Sequence, residues 1–395
     1  MRVALSEQGF TLAERDRRYQ VVRALMRERG IDCLIVPHNT GDWDNFQPDI
    51  RYLTCVGGGG MATALVFPLE GDPVVAVRES RRIDWWKASQ AWVSDVRSPP
   101  KFVWSQFFAD VLNEKGIGSS KIGVVGLTHS LRDVEGTISF GEFTALRAAL
   151  PQATFQCATD ILYAARKRKS PEEIAVIERA QFCADRVQAA FRSCCHPGVS
   201  EHRIYAEMFH AHITAGGEVP CMILFSTDTR FWQTQVLPTF RTIRTGDVVT
   251  VEAEPKYYGY MAQAVDSIAF RPLSDLERRL FELSSQSFDF LLSEMTPGKS
   301  YADLIRAWEG FVRKSGLAAG RTMGHGLGLG QDGPLTAPSG QAGGLLVEEG
   351  DCLVLKPWIS DAADTCSARV GGTVVVDRSG GRKLGTSELM PLVMA

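Results

Sequence analysis

The sequence lacks a run of eighteen apolar residues, and its first ten residues lack the apolar core of a signal peptide. Its nine cysteines include no Cys-X-X-Cys spacing, and the adjacent Cys194 and Cys195 are a poor basis for a disulfide framework. Reduced thiols are typical of the cytoplasm. These absences predict a cytoplasmic protein that has no membrane partner.

The chain also lacks a strong excess of either charge, since its formal net charge is -3 and its pI is near 6.2. This balance gives no reason to expect nucleic acid as a partner. The short basic run at residues 166–169 is interpreted as a solvated linker, because Ser170, Pro171 and Glu173 after it form a helix start with a capping box. A length of 395 residues, with 45% hydrophobic and 23% charged residues, indicates a soluble globular protein of two domains.

Residues 246–270 read as two largely apolar strands that also carry acidic and polar residues. Glu252 and Glu254 are two residues apart in an alternating run, so they lie on the same face of a strand. A turn follows, and a second strand is predicted from Met261 to Phe270, with Gln263 in it. Because burial of an unpaired charge is costly, these side chains are expected either to line a cavity or to have partners.

This stretch resembles the central hairpin of the pita-bread fold, which methionine aminopeptidase, aminopeptidase P, prolidase and creatinase share. Three further blocks match that family in order, at Met323–Leu329, Glu349–Pro357 and Arg369–Val374. The resemblance covers about half of the chain. It implies an α+β protein whose C-terminal pita-bread domain has a pseudo-twofold internal repeat.

The N-terminal part resembles the small α/β domain that precedes the catalytic domain in creatinase and prolidase. Ile50–Thr54 is similar to the IRYLTG segment of that domain, and helix and strand signals alternate around it. The predicted domains are therefore residues 1–165 and residues 166–395. The resemblance also implies a homodimer.

Peptidases of this family hold two divalent metal ions with two Asp, one His and two Glu. The matching positions here are Glu252, Gln263, His325, Lys356 and Gly371. A dinuclear site for hard cations needs several anionic oxygens, so this set predicts a lost metal site and a protein that uses no metal or cofactor. An ammonium group facing Glu252 can neutralise it, which leaves either a relic ion pair or a metal-free active site like that of creatinase.

The loop at residues 225–240 matches the one that carries a substrate-contacting His in the relatives. It contains no His here, and Gln235 is the nearest occupant of that position. Val265 and Lys356 occupy the places of the two active-site glutamates of creatinase, so creatine hydrolysis by that mechanism is not expected. The predicted substrate-binding residues are Glu254, Gln263, Trp358 and, in this loop, Asp228, Arg230 and Trp232.

The predicted catalytic residues are Glu252, His325 and Lys356. Glu252 beside an imidazole and an ammonium suits acid–base chemistry or a carboxylate nucleophile, and Lys356 suits stabilisation of developing negative charge. Family members with eroded metal sites, such as creatinase and ectoine hydrolase, open C–N bonds in small zwitterionic solutes. The resemblance therefore implies a metal-independent hydrolase of a C–N bond in a small polar or zwitterionic metabolite. A lyase or decarboxylase on the same scaffold and a non-catalytic binding protein are the alternatives, whereas aminopeptidase activity is not expected.

Overall fold

The computed structural model describes residues 9–38, 47–58, 62–127, 136–227, 236–320, 322–330, 332–333, 335–336 and 344–394. The chain divides into two compact units, Met1–Arg166 and Lys167–Ala395. Among the described residues, no helix has both the length and the apolar character needed to cross a membrane. The mixture of helices and sheets in both units confirms the predicted α+β class.

The first unit is built on a six-stranded mixed sheet with the order β4-β3-β2-β1-β5-β6. Strand β2 pairs antiparallel with both β1 and β3, and β5 pairs parallel with both β1 and β6. Val66, Phe108 and Val124 belong to the core between this sheet and its helices. The elements are β1 (Cys33–Val36), β2 (Thr63–Pro68), β3 (Val74–Val77), β4 (Asp95–Arg97), β5 (Lys121–Val124), β6 (Thr154–Cys157), α1 (Leu12–Glu28), α2 (Pro48–Thr54), α3 (Ile83–Ser89), α4 (Trp104–Glu114), α5 (Phe140–Ala149) and α6 (Thr159–Lys167), with short 3-10 helices at Ser80–Arg82 and Pro100–Phe102.

The second unit contains a large sheet whose main path is β13-β12-β14-β17-β10-β8-β7. Strands β9, β18 and β19 pair with β8, β17 and β10 respectively, and β11-β15-β16 form a separate small sheet. The strands are β7 (Glu218–Thr227), β8 (Val248–Tyr257), β9 (Tyr260–Met261), β10 (Ala264–Ala269), β11 (Ala318–Ala319), β12 (Gly324–Gly326), β13 (Leu335–Thr336), β14 (Cys352–Leu355), β15 (Ile359–Ser360), β16 (Ser367–Ala368), β17 (Gly371–Asp377), β18 (Gly380–Lys383) and β19 (Leu392–Val393). The helices are α7 (Pro171–Cys194), α8 (Glu201–Thr214), α9 (Asp275–Glu294) and α10 (Tyr301–Arg313).

The internal repeat is visible in the way each half of this unit enters its second helix. Gly198 and Gly298 both have positive φ angles, of 95° and 91°, which glycine adopts without a steric penalty. The Gly198 N–H donates to the carbonyl of Ile243 at 2.9 Å, and the Gly298 N–H donates to the carbonyl of Val347 at 2.8 Å. The two halves therefore use the same local geometry one repeat apart.

The helices cover one face of the large sheet. Val249, Val251 and Ala253 of β8 share a hydrophobic core with residues of α7 and α8. Leu353 and Leu355 of β14 share another core with residues of α9 and α10. Because side chains alternate along a strand, the intervening residues of β8 and β14 point to the opposite face. The site described below lies on that opposite face.

The second strand of the central hairpin differs from the prediction, because it is divided into β9 and β10. The Met261 N–H donates to the carbonyl of Gly328 at 2.8 Å, and the Gln263 N–H donates to Thr373 Oγ1 at 3.0 Å. The backbone therefore changes hydrogen-bond partners between the two short strands. Gln263 lies in this interruption, next to the site.

Candidate active site

Glu252 of β8 is the centre of a buried group of polar side chains, and the others lie next to the ends of β10, β14 and β17. Its side chain is 2% exposed, and the Lys356 ammonium donates to its Oε1 at 2.5 Å. The Gln263 amide donates to the same oxygen, and the Arg369 guanidinium donates to Oε2. Both oxygens of the carboxylate are therefore engaged by donors that the sheet brings together.

The charges of this group favour the ionised form of Glu252. Burial by itself favours the neutral acid, but the positive charges of Arg369 and Lys356 outweigh it and hold the pKa of Glu252 well below its usual range. Burial also lowers the pKa of Lys356, although Glu252 and the fully buried Glu254 oppose that shift. Two adjacent cations therefore offset the negative charge of Glu252.

His325 lies between two glycines in the short strand β12, which pairs with β14. The paired strands approach so closely that a Cβ atom at Gly324 would overlap with the Val354 carbonyl, so only glycine fits there. His325 is 4% exposed, and its Nδ1 lies 3.1 Å from the Gly326 carbonyl oxygen. A carbonyl oxygen only accepts, so Nδ1 carries the proton of this hydrogen bond. In the neutral ring, Nε2 then holds the lone pair.

Gly371 lies against the backbone of Leu355 and Lys356. A Cβ atom at Gly371 would lie 2.6 Å from Lys356 Cβ and would also overlap with the Leu355 carbonyl oxygen. No larger residue fits there unless the two strands move apart. The glycine at this family metal position therefore allows the close approach of its backbone to Leu355 and Lys356.

Ser284 of α9 connects the two segments that carry the cations. Its hydroxyl donates to the Pro357 carbonyl at 2.7 Å and accepts from the Val370 N–H at 3.0 Å. Pro357 follows Lys356, and Val370 follows Arg369. This fully buried serine therefore holds both cationic residues in place against Glu252.

Arg369 is a site residue that the sequence reasoning did not identify. In the sequence it begins a family-like block, and an arginine two residues before a Gly-Gly pair in an apolar segment is an available signal. Its guanidinium carbon lies 4.8 Å from the ring centroid of Trp358. Trp358, a predicted substrate-binding residue, therefore packs on Arg369. Three other predicted substrate-binding residues lie outside the described residues, namely Asp228, Arg230 and Trp232.

Comparisons with known proteins identify the family. A family model described as metallopeptidase family M24 matches residues 175–378, more than half of the chain. The chain belongs to metallopeptidase family M24. A model of the creatinase/prolidase N-terminal domain matches residues 18–167 of this M24 member, which agrees with the resemblance seen in its first unit.

Similar full-length proteins include peptidases and a creatinase. An uncharacterised peptidase of Bacillus subtilis strain 168 is 21% identical over 368 residues, which cover 92% of this chain and 96% of the relative. A creatinase of Bacillus sp. strain B-0618 is 24% identical over 365 residues, which cover 88% of this chain and 82% of the creatinase. The structure of an Xaa-Pro dipeptidase from Bacillus anthracis superposes with a TM-score of 0.81 at 18% identity, and the superposition covers 96% of this chain and 100% of the dipeptidase. The structural similarity establishes the fold, and the family match places the chain in a family of hydrolases.

The described side chains around Glu252 are a poor fit for a dinuclear metal centre, because such a centre needs several anionic oxygens. Within the described part of the chain, no group of three or more His, Cys, Asp or Glu residues is placed to hold a metal ion. Among the residues that the structure describes, the side chains that donate to Glu252 are two cations and an amide. A divalent cation at this carboxylate would lie against an ammonium and a guanidinium, which is electrostatically unfavourable.

Proposed function

We propose that this M24 member is a metal-independent hydrolase of a C–N bond in a small polar or zwitterionic metabolite. The observation that supports the proposal most directly is the pairing of Glu252 with Lys356 and Arg369. These cations neutralise a carboxylate that corresponds to a metal ligand in the peptidases. Charge balance at this site then needs no metal ion.

We propose His325 as the general acid–base group. Its Nδ1–H is held by a backbone carbonyl, so the lone pair of the neutral ring is on Nε2. In this role Nε2 takes a proton from the attacking water and returns it to the leaving nitrogen. Glu252 is the weaker candidate, because a carboxylate of lowered pKa with both oxygens hydrogen-bonded is a poor base and a poor nucleophile.

Lys356 and Arg369 are proposed to stabilise negative charge. Lys356 has three N–H donors and Arg369 has five, and each uses one of them in its described bond to Glu252. The other donors can bind a substrate carboxylate or an oxyanion that forms during water attack. Glu252 then acts as a positioning residue that fixes both cations.

The test is a product assay in the presence of a metal chelator. The purified chain is incubated with panels of guanidino acids, cyclic amidines and Xaa-Pro dipeptides in water enriched in ¹⁸O. Hydrolysis of a non-peptide C–N bond, with ¹⁸O in the product and no loss of rate with chelator, is expected. Product without solvent oxygen would favour a lyase or decarboxylase, and ligand binding without turnover would favour the non-catalytic alternative. Metal-dependent cleavage of Xaa-Pro dipeptides would contradict the proposal.

The variants His325→Gln and Lys356→Met separate the proposed roles. Loss of the acid–base group is expected to lower kcat by about 100-fold or more and to remove the corresponding limb of the pH–rate profile. Loss of the ammonium is expected to lower kcat without removing that limb. An unchanged pH profile in His325→Gln would contradict the assignment of the base.

A further inference from the structure

The amide of Gln263 has one orientation that its neighbours permit. Its Nε2 donates to Glu252 Oε1. In the reversed orientation, the amide oxygen would face a carboxylate oxygen with no proton between them, because ionised carboxylates only accept hydrogen bonds. The amide oxygen Oε1 therefore points away from Glu252.

Oε1 is the one polar group of Gln263 without a hydrogen-bond partner among the described residues. The side chain is 0% exposed, so bulk water does not satisfy this oxygen. By contrast, the backbone N–H donates to Thr373 Oγ1 at 3.0 Å, and the backbone carbonyl accepts from the same hydroxyl at 3.2 Å. Buried acceptors are rarely left without a hydrogen-bond donor. A donor for this oxygen therefore has to come from outside the described residues.

The carboxylate that the Gln263 amide contacts also holds two cationic donors at this site. Lys356 and Arg369 both donate to the carboxylate that Gln263 contacts, and each keeps further N–H groups. A ligand that satisfies both kinds of group has an anionic part for the cations and a hydrogen-bearing nitrogen for Oε1. An amino acid or an amidino acid has both.

We propose that Gln263 Oε1 accepts a hydrogen bond from a ligand nitrogen, and that the site selects carboxylates with an N–H group over permethylated betaines. The inference rests on the proposed function only in placing a small zwitterion at this site. It does not require that the ligand be hydrolysed. Gln263 is then a specificity-determining residue.

Two pairs of zwitterions test this selection. N,N-dimethylglycine and glycine betaine differ only by a methyl group in place of the N–H, and 4-aminobutyrate with its N-trimethyl derivative forms a longer pair. Their affinities for the purified full chain are measured by isothermal titration calorimetry. We expect the N–H member of at least one pair to bind about tenfold tighter or more. Equal binding within the pairs, tighter binding of the methylated members, or no binding of any of the four compounds would overturn the proposal.

Two matched variants test the residue. Gln263→Met keeps the chain length and removes the acceptor. Gln181→Met is the control, because Gln181 is also buried, its Oε1 lacks a described partner, and its Nε2 donates to a carboxylate oxygen of Asp185 at 2.8 Å. We expect Gln263→Met to bind both members of a pair equally and Gln181→Met to keep the wild-type preference.

A preference that persists in Gln263→Met would overturn the assignment. If that variant does not fold, the comparison of ligands on the wild-type chain still decides. A preference for N–H ligands, with no turnover of any compound in the hydrolysis panels, would contradict the proposed hydrolase and leave this inference standing. Turnover of a permethylated substrate would contradict this inference and leave the proposed hydrolase standing.

Discussion

Replacement of Lys356 by Met removes the ammonium from Glu252 while keeping most of the side-chain volume. The carboxylate then remains buried, with Arg369 and Gln263 as its donors. Because a buried charge that loses a partner is costly, we expect the C-terminal unit to lose stability. The same change should raise the pKa of Glu252, since Lys356 is one of the charges that lower it.

The size of the loss follows from the geometry. At 2.5 Å between Nζ and Oε1, an effective dielectric constant of about 20 gives an attraction of about 7 kcal/mol, much of it offset by desolvation. Removing one partner of a buried pair typically costs about 3–5 kcal/mol. Arg369 still neutralises Glu252 in the variant, so we expect about 3 kcal/mol.

The free energy of unfolding is measured by guanidinium titration, followed by tryptophan fluorescence and circular dichroism. Lys299→Met is the matched control, because Lys299 pairs with Glu294 at the solvent-facing surface of the same unit, and we expect a loss of about 1 kcal/mol or less. In a double-mutant cycle with Glu252→Gln, we expect a coupling of about 2 kcal/mol. Equal losses in Lys356→Met and Lys299→Met, or a coupling near zero, would refute the reasoning.

Three further predictions concern the packing and charge of the site. Gly371→Ala should destabilise the protein by about 1–3 kcal/mol, because the added Cβ would overlap with Lys356. Gly310→Ala in α10 is the control and should stabilise the protein by up to about 1 kcal/mol, because nothing lies within 4 Å of its added Cβ. Equal shifts of the melting temperature in the two variants would contradict this prediction. Ser284→Ala should lower the free energy of unfolding, measured by chemical denaturation, by about 1–3 kcal/mol, because it leaves two buried backbone groups unpaired. Replacement of the exposed Ser293 by Ala on the same helix should have little effect, and similar losses in both variants would disprove the bridging role of Ser284. The contribution of ionised Glu252 to the free energy of unfolding should be complete above its ordinary pKa of 4.5 and be lost as the pH falls toward its lower pKa in the folded protein. Glu252→Gln should therefore make the melting temperature depend less on pH on the acid side, and parallel profiles for the two proteins would argue against a lowered pKa.

The sequence patterns predict the large features of the fold because these depend on local periodicity. Alternation in β8 puts Glu252 and Glu254 on one face, opposite residues that pack under the helices. The four family-like blocks predict that Gln263, His325 and Lys356 come near Glu252. The structure brings these side chains together at the sheet face that lies opposite α7 to α10.

The hydrogen-bond partners depend on strand register, which the sequence alone does not reveal. Asp266 belongs to the same predicted strand as Gln263, but it points to the other face and pairs with Arg192 of α7 at 2.7 Å. The role of Arg369 depends on how far β17 is shifted against β14. The stacking of Trp358 on Arg369 depends likewise on the close passage of Gly320, where any Cβ would overlap with the indole ring.

The metal content of the purified protein tests the central claim most directly. The chain is purified without chelator and, in parallel, after incubation with manganese, cobalt and zinc, and is then analysed by inductively coupled plasma mass spectrometry. Neutralisation of Glu252 by Lys356 and Arg369 predicts metal far below one ion per chain in every sample. One or two ions per chain, lost when Glu252 and His325 are replaced, would contradict it.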